Sequence, residues 1–372
     1  MIKITVMLMV CVTLAYFSEK QTNAIQSQGH HYSVWHDPAY LALAVVLVLF
    51  AGLRTSYNDT WNYMYSFSIN EGLESFFAEA ENLNIFRNPL FGFCNSLLRE
   101  FTDNAQMLVF LFSLFTQVCL LKYIKRYSHC FTFSIFLYFT LGTFSVTLAA
   151  MKQVAAMAIL TLAFPFLEKK QWVRYYLVVF IAMLMHTYAL TFAVLPFFNR
   201  RPWKAFTFMF VLATVLIMMN FERAITAFMD QAEDVGKQLN EEEIFDSHTV
   251  NLLRVAVYAV TPAISYLFQK WIFRNSSNAD HIVVHMSIIS FAFMVMGTQS
   301  GANMFGRMAH YFELGMICCL PWMLKQTFDD RSYRLVSRIT AICFLGFFVY
   351  ANAINMSFDS AYEAISLLEF LR

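Results

Sequence analysis

Charge is what this chain lacks. Of its 372 residues only 14% are Asp, Glu, Lys or Arg, while 59% are hydrophobic. A soluble domain carries about 25% charged residues, so most of this surface faces lipid rather than water. The net charge of +1 excludes the basic stripe of a nucleic-acid binder. Cysteine is sparse and poorly placed for cross-linking. Cys11, Cys119, Cys318, Cys319 and Cys343 fall inside apolar runs, and only Cys94 lies in a long polar stretch. No disulfide framework and no metal-ligand spacing results. The P-loop, the dinucleotide fingerprint and HExxH are absent too, which removes the familiar nucleotide and zinc chemistries.

What is present is a series of apolar runs of about 17–20 residues separated by basic turns, the pattern of an all-α, polytopic integral membrane protein. Ten runs read as full transmembrane helices, near 4–17, 38–53, 105–121, 131–147, 148–167, 205–219, 252–271, 282–298, 308–324 and 339–356. The first follows Lys3 and has no A-x-A cleavage site, so it reads as a helix rather than a signal peptide. The chain therefore reads as a single transmembrane domain over 1–372. It carries a long outer loop at 54–104, an acidic outer loop at 220–250 and an amphipathic tail at 357–372. Residues 72–83 and the tail have the pattern of outer interfacial amphipathic helices. No internal repeat is visible.

Lys and Arg set the orientation. Lys122, Lys125, Arg126, Lys169, Lys170, Arg174, Arg200, Arg201, Lys204, Lys270, Arg274, Lys325, Arg331, Arg334 and Arg338 gather in one set of loops, which makes those loops cytoplasmic. The alternation holds only if 175–198 enters and leaves on the cytoplasmic side. At 1.5 Å per residue its 24 residues cannot make two full spans, so a broken or re-entrant pair meeting near His186 is expected. Broken backbone at membrane depth is tolerated where it lines a cavity, which points His186 into one.

Ionisable groups in apolar spans are expensive and mark candidate sites, although a lone Lys can also snorkel to a headgroup. Arg54 closes the second run, Lys152 opens the fifth, Arg254 opens 252–271 and Arg307 opens 308–324. Arg87, Arg99, Arg223, Lys237 and Arg372 complete the outward cations. Four cations at helix mouths facing one compartment imply an anionic ligand, and a diphosphate fits. Asn303, Arg307 and Tyr311 follow at i, i+4 and i+8, with His310 one turn after Arg307, so a polar stripe runs down one face. Glu313 lies deeper, placed to neutralise a cation.

Several of these pieces share an order. Gly52-Leu53-Arg54 precedes Asp59 and Tyr63, Met151-Lys152-Gln153-Val154-Ala155 follows, and His186 lies inside Met183-Leu184-Met185-His186-Thr187-Tyr188. With Arg307 and Tyr311 late in the chain, they resemble the EpsG-type, Wzy-like membrane family of exopolysaccharide and O-antigen polymerases over about 40–325. In that family the position of Lys152 is usually Arg; Lys keeps the charge and loses the two-pronged grip on phosphate. The resemblance implies a polyprenyl-diphosphate-linked oligosaccharide as substrate, no bound cofactor, and an outward-facing active site in the bacterial inner membrane. It also implies the lipid bilayer, a chain-length regulator and a flippase as partners. Arg54, Lys152, Arg254 and Arg307 would hold the diphosphate, and His186 or Asp59 would be the base. Trp61, Tyr63 and Tyr188 would stack on sugar rings or sit in the interfacial belt, with Asn303, His310 and Tyr311 in support. Two rivals remain, a transporter or flippase of lipid-linked sugars and a membrane acyltransferase. Paired matching breaks would favour the first, and an acyl donor from the cytoplasmic or lipid side the second.

Overall fold

The computed structural model describes residues 1–28, 32–79, 83–220, 249–299, 303–355 and 357–371. The acidic loop expected at 220–250, with Arg223 and Lys237, lies almost wholly outside the described residues, as does Arg372. Among the described residues, five helices are long and apolar enough to cross a bilayer: Ile2–Ser27, Ala105–Tyr127, Met151–Glu168, Asn278–Met296 and Asp330–Ile354. The bent pair Phe131–Thr140 and Thr143–Ala149, at 54°, makes a sixth if taken as one span. Ten full-length spans are therefore not reached among the described residues. Pro38–Gly52, Trp172–Met185, Ala205–Met219 and Leu252–Leu267 are apolar but only 14–16 residues long. Such a helix rises about 21–24 Å, short of a hydrocarbon core about 30 Å thick.

The chain divides into two compact units, the first comprising 1–162, 184–186 and 335–372. Here α1 (Ile2–Ser27), α2 (Pro38–Gly52), α6 (Ala105–Tyr127) and α7 (Phe131–Thr140) pack side by side. Asp37 starts α2 by accepting the Tyr40 N–H at 3.0 Å, with Pro38 in the first turn where its missing N–H is harmless. Gly142, at φ 89°, breaks the chain between α7 and α8 (Thr143–Ala149), and α9 (Met151–Glu168) follows at once. Between α2 and α6 stand a strand, β1 (Arg54–Ser56), and three short helices, α3 (Thr60–Ser68), α4 (Leu73–Ala78) and α5 (Pro89–Arg99). The described residues of the loop expected at 54–104 are thus folded, and within the interfacial helix expected at 72–83 they form α4.

The tail, expected as an amphipathic interfacial segment, has short helices at Phe358–Ala361 and Leu367–Phe370. It pairs as strand β2 (Glu363–Ala364) antiparallel to β1, with Arg54 opposite Ala364. Tyr362 stacks on Phe50 at 4.4 Å and its hydroxyl donates to the Phe50 carbonyl at 2.7 Å. Asp359 accepts the Ile2 N–H at 2.7 Å, and Lys3 Nζ donates to the Tyr362 carbonyl at 2.8 Å. Unpaired strand groups near the membrane need partners, and the tail supplies them.

The second unit comprises 163–183 and 187–334. Its centre is α13 (Asn278–Met296), against which α12 (Leu252–Leu267), α14 (Asn303–His310) and α15 (Glu313–Thr327) pack. Ser277 and Asp280 form a reciprocal capping box that fixes where α13 begins. The apolar run expected at 308–324 is split, because the chain leaves helix at Tyr311 and Phe312 and restarts at Glu313.

The run at 175–198 doubles back. Helix α10 (Trp172–Met185) ends at His186, and Thr187–Phe198 continues as a 3-10 helix. The Tyr175 hydroxyl donates to the Phe192 carbonyl at 2.6 Å, and that of Tyr176 to the Ala193 carbonyl at 3.3 Å. In one straight helix, residues 17 apart would lie about 25 Å apart. Asn199 Nδ2 donates to the Leu167 carbonyl at 3.1 Å, so the chain leaves where it entered. The arms exceed half-helices: 14 α-helical residues rise about 21 Å, and 12 residues at the 3-10 rise reach about 24 Å.

Candidate functional site

In the first unit, the residues singled out in the sequence fall into two environments. Arg54 is not an open cation at a helix mouth. It is 1% exposed, and its Nε donates to Thr60 Oγ1 at 3.1 Å. Its Nη1 donates to Ser113 Oγ at 2.8 Å and to the Ala51 carbonyl. Burial lowers its pKa to about 10, so it stays charged at neutral pH and acts as a pin between α2, α3 and α6. Trp61 points elsewhere: 63% exposed, it stacks on Tyr65 at 5.1 Å.

Lys152 is placed differently. It is the second residue of α9, half-buried, with its ammonium 4.9 Å from the Phe91 ring centre and 6.0 Å from that of Tyr63. Rings on that side compensate part of the lost hydration of the cation. Asp59, half-buried, sits one turn before Tyr63, so the two share a face of the chain entering α3.

Lys152 also lines a polar cavity of about 430 Å³ walled by the end of α3, the 69–72 loop, α4 and the start of α5. Asn70, Ser75, Arg87, Asn95 and Ser96 face it. The opposite face of α5 borders an apolar groove of about 420 Å³, lined by Cys94, Leu97, Leu98, Phe101, Phe112, Ile159 and Met185. Phe91 on the cavity side and Phe112 on the groove side touch at 5.3 Å between ring centres. Lys152 and Ile159 are seven residues apart on α9, hence on one face and about 10 Å apart along it. His186, half-buried, adjoins the groove residue Met185 at the hairpin break.

The second unit holds the other predicted residues. Arg254 is half-buried in the first turn of α12. Arg307 does not open a long span; it is exposed in the eight-residue α14. The expected stripe through Asn303, Arg307 and Tyr311 ends with that helix, since Tyr311 lies beyond it and is 1% exposed. The Asn303 side chain lies outside the described residues. Glu313 is fully buried and takes hydrogen bonds from the Tyr258 hydroxyl and from His310 Nδ1, the latter at 2.9 Å. Its partner is thus a histidine and a phenol, and the three join α12, α14 and α15. Tyr188 packs against Met304 and Met308.

Asn70, Asn95 and Ser96 were not anticipated. Asn88-Pro89 followed by apolar residues at 90, 91, 94, 97 and 98 is the signature of a helix start and an amphipathic helix, and would have revealed α5.

Comparison with known families supplies the remaining finding. The EpsG family model matches residues 39–365, and the chain belongs to that family. No curated protein and no solved structure matches it.

Proposed function

Starting from EpsG membership, we propose that this protein is a polysaccharide polymerase. It joins polyprenyl-diphosphate-linked oligosaccharide units at the outer face of the bacterial cytoplasmic membrane, making an exopolysaccharide, capsule or O-antigen. The observation that carries this reading is the pair of sites on either side of α5. A polar cavity and an apolar groove share that helix, with Lys152 above Ile159 on one face of α9. An amphiphile with a sugar head, a diphosphate and a polyprenyl tail matches that order of surfaces.

In the reaction, an acceptor hydroxyl attacks the anomeric carbon of the donor sugar, the bond to the diphosphate breaks, and polyprenyl diphosphate leaves with the negative charge. Lys152 stabilises that growing charge near the helix N-terminus of α9, whose dipole acts in the same direction. Asp59 accepts the hydroxyl proton, with His186 the second candidate. Arg254 and Arg307 stand as the diphosphate-binding cations of the second unit. Lys152→Ala should lower polymer formation about 30- to 1,000-fold, the effect of losing about 2–4 kcal/mol of transition-state stabilisation. Lys152→Arg should retain or raise it. Lipid-linked units would accumulate unpolymerised at unchanged protein level, and polymer of normal amount and length from Lys152→Ala would end this reading.

One observation favours transport of lipid-linked sugars as a second reading, since the bend at Gly142 adds a second break to that at His186. A transporter would leave the unpolymerised units in the inner leaflet, and a polymerase variant in the outer.

A further inference from the structure

The cavity beside Lys152 is a built feature. Asn70 organises its rim: its Oδ1 accepts the Gly72 N–H at 2.8 Å, its Nδ2 donates to Ser96 Oγ at 3.0 Å, and its carbonyl accepts from Arg99 Nε at 3.1 Å. Gly72 holds φ 92°, a left-handed conformation that a side chain would strain, and a Cβ there would strike Glu100 Oε1. That same Glu100 oxygen accepts the Leu73 N–H at 2.8 Å. The loop is therefore tied to α5 at both of its ends.

Inside this frame Asn95 is only 4% exposed and faces the cavity, yet its Oδ1 has no hydrogen-bond partner among the described residues. A buried amide oxygen left unpaired is unfavourable unless a ligand satisfies it. Apart from Lys152, the charges lining the cavity are Arg87 against Glu71 and Glu79, so the space away from that lysine does not attract an anion. Serines and carboxamides supply most of the remaining polar surface, and Phe76 and Phe91 supply ring edges.

We infer that this cavity is a saccharide-recognition subsite in which the Asn95 carboxamide bonds sugar hydroxyls while the diphosphate stays at Lys152. The inference rests on the polymerase reading for the identity of the sugar-bearing ligand. A hydroxyl both donates and accepts, so it completes the carboxamide whichever of its ends is turned inward. An uncharged, hydroxyl-rich ring suits this lining better than a phosphate does.

The test uses the full-length protein in nanodiscs and a lipid-free, phosphate-free probe, the oligosaccharide repeat freed by mild acid from the cells' own polymer. Wild type should bind it, and Asn95→Leu, similar in volume, should weaken binding about tenfold or more. Its melting temperature should hold or rise, because an unpaired polar group has been replaced; a purely structural Asn95 would instead leave a less stable protein. Ser75→Phe, which fills the cavity from α4, should weaken binding as well. Inorganic pyrophosphate should not displace the probe. Binding by Asn95→Leu within about twofold of wild type, absence of binding by wild type, or displacement by pyrophosphate would each overturn the subsite. Normal polymer from Lys152→Ala together with intact Asn95-dependent binding would sink the polymerase reading and leave the subsite standing.

Discussion

At Arg54 a guanidinium sits 1% exposed with donors to Thr60, Ser113 and the Ala51 carbonyl, and no carboxylate pairs with it among the described residues. Fixed dipoles hold the charge, and its directional fork suits three acceptors at once. Arg54→Ala should strip Thr60 and Ser113 of a buried partner and destabilise the protein by about 2–4 kcal/mol, read as a lowered melting temperature in detergent. Arg54→Lys should recover little of it, because one ammonium cannot reproduce the fork. An unchanged melting temperature with lost polymer would return Arg54 to the substrate. The sequence marks Arg54 and Lys152 alike, as cations at helix ends. What separates them is Ser113, 59 positions away from Arg54, and the rings of Tyr63 and Phe91 around Lys152. Such partners follow from long-range packing, which spacing along the chain does not reveal. Asn95 was hidden for the same reason, since an asparagine on a short helix reads as a solvated residue.

Among the elements, α13 and α15 cross with their backbones in near contact at Gly315. A Cβ on Gly315 would lie 2.5 Å from the Val283 carbonyl oxygen and 3.0 Å from the Ser287 nitrogen. Both are helix backbone and cannot step aside, so Gly315→Ala should cost about 1–3 kcal/mol and lower the melting temperature. An unchanged transition would show that the helices separate freely. The hairpin at 175–198 was readable because basic residues flank it on both sides and its length forbids two full crossings. The split of 308–324 was not, because Arg307, His310 and Glu313 read equally well as the mouth of one helix. Only the buried bonds of Glu313 to Tyr258 and His310 show why the chain restarts there.

On the scale of the molecule, the first unit has two distinct ends. Lys3, Phe50, Arg54, Gln106 and the tail meet at one end, where Gln106 Nε2 donates to the Gly52 carbonyl at 2.7 Å. At the other, Lys125 Nζ donates to Ser18 and Thr22, each at 2.8 Å, and Thr132 N–H to Glu19. Lys3 alone argues for a cytoplasmic N-terminus, but it is held at the same end as β1 and the tail. On the positive-inside rule we propose that Lys122, Lys125 and Arg126 are cytoplasmic and that β1 and α3 are outside. In a variant without native cysteines, Trp61→Cys should react with an impermeant maleimide on intact cells, and Arg126→Cys only after permeabilisation. The reverse pattern would invert the topology.

The ribbon between β1 and β2 also sets a timetable for making the protein. Residues 54–56 leave the ribosome roughly 300 residues before their partners at 363–364. At about 5–20 residues per second, that is a wait of about 15–60 s. Throughout that interval the strand edge at Arg54 is held by α2, α3 and α6 alone, and the seam with the tail closes only after 363–364 have been made. Membrane insertion of the early helices and completion of the unit they belong to are thus separate events, and the interval between them is when this chain is most open to proteases and quality control.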